Sequence, residues 1–270
     1  VEGNISAGAR TKNTNTDQVV NNINLYRAII NGNVFGQGIT DNWYGSSNIN
    51  VQGETVVNGD VYGGANATQA NTGIGTGNLT VNISGNATIN GNVYGGSRGS
   101  MDNTESTTAM NGNATVNITS GTINGNVYGG SYYYNISGEA NVTVNGATAK
   151  INGNIYGGSY NGVVESTSVN ILKGTIGTKE NSVNIYGGGS GNNSRINETA
   201  NVNIGDNTSS AIIYGRVLGG AEDGYTENAV VNFNKTASEI TAVYGGGSGE
   251  TSETNNTTVN INGSTVNLVR

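Results

Sequence analysis

Apolar and polar residues alternate along most of this chain. In Leu79-Thr80-Val81-Asn82-Ile83, Thr115-Val116-Asn117-Ile118 and Val142-Thr143-Val144, every second residue is aliphatic and those between are Asn or Thr. The same pattern returns at Val169-Asn170-Ile171, Val202-Asn203-Ile204 and Val259-Asn260-Ile261. A period of two predicts short β-strands with one face in a core. The aliphatic residues are mostly Val and Ile, whose branched side chains suit a pleated surface. No stretch keeps the 3.6-residue period of a helix.

The strands belong to a repeat. Val93-Tyr94-Gly95-Gly96-Ser97 recurs as Val127-Tyr128-Gly129-Gly130-Ser131 and Ile155-Tyr156-Gly157-Gly158-Ser159. Further copies begin at Val61, Ile185 and Val243, and weaker ones at Ile5, Val34 and Val217. Nine copies result, at intervals of 26 to 34 residues. The length variation collects in the polar stretch after each Gly-Gly, where surface loops are expected. A Gly, such as Gly85 or Gly121, usually separates the two strand segments of a copy.

Taken as one strand, Ile89 to Gly95 puts Ile89, Gly91, Val93 and Gly95 on the core side and Asn90, Asn92 and Tyr94 on the other. The Gly-Gly pair is expected to make a turn with positive φ. One repeat cannot bury its own apolar side, but a stack of repeats can. The predicted fold is therefore all-β: a parallel β-solenoid of about nine coils with repeats of about 30 residues, forming a single domain over residues 1–270. Coils about 4.8 Å apart make it roughly 43 Å long. Asn rows are then expected to exchange amide hydrogen bonds along the axis, and Tyr rows to stack. A propeller is the competing architecture, but its blades need about 40 residues each.

Composition narrows the chemistry. Gly supplies 45 and Asn 48 of the 270 residues; there is no Pro, Cys or His, and the net charge is −7. Such a composition suggests disorder, but the ordered apolar repeat argues against it. Without Cys or His there is no disulfide, thiolate metal site, imidazole ligand or His-dependent triad. No cofactor is expected. Neither is a nucleic-acid partner, which needs clustered Lys and Arg, nor membrane insertion, since no apolar run approaches 18 residues. The carboxylates fall mostly in the variable stretches, from Asp102 and Glu105 to Glu250 and Glu253. They lack the dense spacing of a calcium loop, so no metal site is assigned. Asp60 and Asp206 stand alone, and no paired acids suit glycoside chemistry. The expectation is a non-enzyme.

The Gly-Asn-Val-Tyr-Gly-Gly copies, with Thr-Val-Asn-Ile strands between them, resemble the β-strand repeats of bacterial surface proteins, including adhesin passenger regions. The resemblance covers nearly the whole chain and defines an architecture better than a function. It implies an extracellular or cell-surface location within a larger or assembled structure, and no catalytic residue.

Two features serve as candidate sites. Residues 259–270 read as the first half of a repeat and residues 1–8 as the second half, in register with each other. This predicts head-to-tail assembly into a filament, with Val1, Gly3, Ile5, Val259, Ile261, Val266 and Leu268 at the interface. Such a contact is heterologous and does not close. A segment cut from a longer repeat protein would show the same half-repeats. The second feature is an aromatic row, Phe35, Tyr62, Tyr94, Tyr128, Tyr156, Tyr186 and Tyr244, interrupted at Ser6 and Leu218. As an outward ladder it is a candidate platform for glycans or for neighbouring filaments. The rings alternatively only stabilise the coil, or lie under the variable loops. Tyr132, Tyr133, Tyr134, Trp43 and Tyr44 are further loop aromatics.

Overall fold

Each coil has three strands: a Gly separator such as Gly121 parts the first from the second, and an Asn-Gly-Asn corner parts the second from the third. In a computed structural model, Ala114–Ile118 is followed by Thr122–Ile123 and Val127–Tyr128, and the next coil repeats the sequence of strands one layer on. The structure describes residues 1–8, 19–38, 43–67, 74–100, 109–206, 208, 211–234 and 239–262. Among these there are 26 strands, all-β with no helix, and every strand pair is parallel. The chain is a parallel β-solenoid of about eight turns, spaced by about 29 residues. Nine aligned strand copies enclose eight complete turns, which reconciles this number with the nine copies in the sequence.

The register matches the repeat residue by residue. Ile5 pairs with Val34, Val34 with Val61, Val61 with Val93, and Val93 with Val127. The row continues through Ile155, Ile185, Val217 and Val243. Variation in repeat length is absorbed without moving this row, because it lies in the loops that follow. The first strand of each coil forms an 11-stranded sheet; the second and third ladders are joined into a 15-stranded one by Ile212–Leu218, which runs unbroken from one to the other.

The core follows from the alternation. Rows such as Val57–Ile89–Ile123–Ile151 and Val81–Val116–Val142–Val169 point inwards and are fully buried. Each such side chain contributes about 1.5–3 kcal/mol by leaving water. Between the rows, Asn amides form the expected axial ladders. Asn50, Asn82 and Asn117 donate Nδ2 to Oδ1 of Asn24, Asn50 and Asn82 at 2.8–3.0 Å. A second ladder runs from Asn31 through Asn58, Asn90 and Asn124 to Asn152 at 2.7–2.8 Å.

Two expectations are corrected. Ile89 to Gly95 is not one strand: Thr88–Ile89 and Val93–Tyr94 belong to different sheets, with a corner at Asn90-Gly91-Asn92. Gly91 is accordingly half-buried at that corner, where a Cβ would stand 2.5 Å from Gly59 O. The Gly-Gly pairs are not left-handed turns either. Positive φ occurs instead at the separators, 69° at Gly85 and 95° at Gly121. The pairs are Gly because the coils approach too closely for a side chain. A Cβ on Gly95 would lie 2.3 Å from Gly129 O, and one on Gly129 2.4 Å from Gly157 O.

Candidate functional site

The aromatic row stands on the third strand of each coil, where the residue after the inward Val or Ile points to the opposite face. Phe35, Tyr62, Tyr94, Tyr128, Tyr156 and Tyr186 stack with centroids 4.7–5.1 Å apart and planes within 9° of parallel. Leu218 takes the next rung and Tyr244 the one after, while Ser6 precedes Phe35. The predicted order and both interruptions are therefore present.

The row is not a surface platform. Phe35 and the five stacked tyrosines are no more than 4 % exposed; only Tyr244 is half-buried. Each ring covers its neighbours' faces, and loop side chains close over the hydroxyl edge of Tyr128, Tyr156 and Tyr186. The loops reach two coils. Tyr156 Oη donates to Glu222 Oε2 at 2.6 Å, Tyr128 Oη lies 3.3 Å from Ser190 Oγ, and Tyr186 Oη 3.0 Å from Ser248 Oγ. Burial pushes these phenols above their ordinary range, Tyr128 to about 12, partly offset there by the Ser190 and Asn126 hydrogen bonds. The same burial raises Tyr62, Tyr94, Tyr156 and Tyr186.

Outside the ladder runs a rim, formed by the residue after the buried Ala65, Ser97, Ser131 and Ser159 in successive coils. Backbone hydrogen bonds from Arg98 N to Ala65 O, Tyr132 N to Ser97 O and Tyr160 N to Ser131 O place Asn66, Arg98, Tyr132 and Tyr160 in line. Arg98 Nη1 donates to Asn66 Oδ1 at 3.2 Å, and Tyr132 stacks on Tyr160 at 4.9 Å. The loop aromatics thus divide. Trp43 and Tyr134 are buried together, 5.3 Å apart, whereas Tyr132 and Tyr133 are half-buried at the rim.

Where the rim passes over the first tyrosines, a cleft of about 170 Å³ opens, lined by Asn33, Asp60, Tyr62, Asn92, Tyr94, Arg98 and Tyr132. Asp60 lies in a corner row otherwise made of Asn: Oδ1 of each residue accepts the backbone N–H of the next, from Asn4 through Asn33, Asp60, Asn92 and Asn126 to Asn154 and on to Asn184. Its second oxygen accepts from Tyr62 Oη at 3.0 Å. Sequence reasoning treated Asp60 as isolated and did not single out Arg98. The available signal was Asp60 standing in the place of Asn in the Asn-Gly-Asn corner. Among the described residues, no group of three carboxylates forms a metal-binding cluster.

The expected assembly residues occupy opposite ends. Val1, Gly3 and Ile5 lie by the first coil, where Val1 is 64 % exposed and Ile5 half-buried; Val259 and Ile261 lie on the last long strand, Ser252–Ile261. Val266 and Leu268, like Asp102 and Glu105, lie outside the described residues.

Fold and ladder together define a parallel β-solenoid with an internal aromatic spine. No protein-family model matches the chain, and neither does any curated protein or solved structure.

Proposed function

We propose that this chain is a structural rod of the cell exterior that stacks head to tail into a filament. The observation that carries this reading is the polarity of the Asn ladder on the long-strand sheet. Every amide bond of the ladder from Asn24 to Asn117 points the same way, Nδ2 towards the preceding coil; Asn203, Asn232 and Asn260 keep that direction farther on. Asn24 Nδ2 on the first coil and Asn260 Oδ1 on the last therefore face outwards as donor and acceptor. Among the described residues, Val20–Tyr26 and Ser252–Ile261 beside them each pair with one neighbouring strand only, and open strand edges template further pairing. Tyr26 and Ile29, 63 % and 61 % exposed, and Ile261, 37 % exposed, supply apolar contact on the two faces. The partner is a second copy of the chain. The extracellular or cell-surface location rests on the resemblance of the repeats to those of surface β-repeat proteins.

Electron microscopy and fibre diffraction of the concentrated chain test this reading. Unbranched fibres with a meridional spacing of about 4.8 Å are expected, suppressed by Val259→Lys with Asn260→Lys without change in far-UV circular dichroism. Isolated short rods at high concentration would refute it. A glycan-binding adhesin stalk remains the alternative, but covered ring faces remove the ladder as its platform.

A further inference from the structure

We propose that the rim cleft over Tyr62 and Tyr94 is a binding site for a single uncharged pyranose ring, held by Asp60, Arg98 and Tyr132. This inference stands apart from the filament reading: either survives failure of the other.

The cleft interrupts a pattern. Farther along the spine, the hydroxyls of Tyr128, Tyr156 and Tyr186 are engaged by loop side chains from two coils on. Tyr62 and Tyr94 instead line the cleft, with Tyr62 Oη donating to Asp60 at 3.0 Å. Tyr94 Oη and the Nδ2 groups of Asn33 and Asn92 have no hydrogen-bond partner among the described residues. Nδ2 of Asn154 and Asn184, at the same corner position, does have one: each donates to the tyrosine two residues on.

Asp60 is the second departure. From Asn4 to Asn184 the corner row needs only an Oδ1 acceptor, which Asn provides at the other positions, so the row itself does not require a carboxylate. Its oxygens already accept from Asn92 N and Tyr62 Oη, both uncharged donors, at 2.7 and 3.0 Å. The remaining lone pairs face a cleft whose other charged group, Arg98, is held by the neutral Asn66. One anion and one cation leave the lining neutral, with donors and acceptors interleaved. That arrangement matches the alternating hydroxyls of a sugar better than a net charge. Tyr132 supplies the apolar wall for the C–H face of the ring, fixed edge-on against Tyr94 at 5.6 Å. At about 170 Å³ the space is smaller than the ~300–1,000 Å³ clefts that take drug-sized ligands, so it suits one ring rather than a chain.

Saturation-transfer NMR with methyl glucoside, methyl galactoside, methyl mannoside and methyl N-acetylglucosaminide tests the proposal. Transfer to the ring protons of at least one is expected. Asp60→Asn keeps the corner acceptor and should fold with an unchanged melting temperature. Loss of a hydrogen bond to a charged group should weaken its binding about tenfold or more. Tyr132→Ala should weaken binding as well. No transfer to any of the four sugars overturns the proposal. So does transfer that is unchanged in both variants, or occupation of the cleft by zwitterionic glycine in preference to the pyranosides.

Discussion

Gly129→Ala is the sharpest test of why the Gly-Gly pairs exist. A Cβ at Gly129 would lie 2.4 Å from Gly157 O in the next coil, whereas real contacts of this kind begin near 3.0 Å. The neighbouring atom is backbone inside a ladder and cannot swing away. Relieving the clash means parting two coils locally, where Gly129 N donates to Tyr156 O at 2.9 Å and Gly130 N to Gly158 O at 3.1 Å. Weakening these two bonds costs about 0.5–1.5 kcal/mol each, and overpacking adds about 1–3 kcal/mol. The sum is roughly 2–6 kcal/mol of destabilisation. The second Gly of a later pair is the internal control. At Gly246 the nearest atom to a Cβ is Thr254 Oγ1 at 3.6 Å, and its φ is not left-handed. There Ala should be neutral, or stabilise by up to about 1 kcal/mol by restricting the unfolded chain. Urea midpoints followed by far-UV circular dichroism measure both variants. Equal midpoints for Gly129→Ala and Gly246→Ala would refute the close-approach argument. Opposite signs would establish that sterics, not turn conformation, selects Gly.

The spine predicts alkaline unfolding. A buried phenol with its pKa raised from 10.0 to about 12, as at Tyr128, stabilises the fold fully below pH 10 and loses that contribution as pH rises through the folded value. Two units at Tyr128 amount to about 3 kcal/mol, and the other buried tyrosines add to it. Phenolate absorbance of the spine should therefore appear together with unfolding; its appearance near pH 10 in a folded chain would contradict the burial. Glu222→Gln removes a group that raises the Tyr156 phenol, so the spectrophotometric transition should move to lower pH. Asn82→Ala deletes two rungs, to Asn50 at 2.9 Å and from Asn117 at 3.0 Å, and should cost about 1–3 kcal/mol. Asn260→Ala deletes only the one to Asn232 and should cost about half as much, read from the same denaturation midpoints.

The backbone register was legible because one repeat constrains it eight times over. A shift of one residue at any coil would turn Val93 or Val127 outwards and bring Tyr94 or Tyr128 in. The Asn ladders were legible for the same reason. What pattern reading missed was where each coil bends and what covers its outer side. Alternation continues through Asn90-Gly91-Asn92, so period alone does not reveal a corner there. The tyrosine row alternates with the core and reads as outward, yet "outward" from one core is inward to another if a loop covers it. That cover is made by Ser190, Glu222 and Ser248, 62 to 66 residues from the hydroxyls they approach. No local pattern encodes a contact across two coils. Asp60 and Arg98 escaped because they come together only through the axial stacking of neighbouring coils.

The variable stretches therefore have two physical roles that a repeat by itself does not supply. A stack of parallel coils is held to its neighbours one layer at a time, and an end coil can fray without disturbing the third layer. Loops that reach from Glu222 to Tyr156, or from Ser248 to Tyr186, tie layers two apart, so fraying one coil also breaks a contact with the coil beyond its neighbour. The same reach seals the polar edge of a spine whose rings are otherwise apolar. At Tyr62 and Tyr94, by contrast, no described loop side chain from two coils on bonds a ring hydroxyl, and the cleft there meets the corner row at Asp60. In a fold built by repetition, specific chemistry can arise only where repetition lapses, and here two lapses, Asp60 for Asn and Arg98 on the rim, fall in the same cleft.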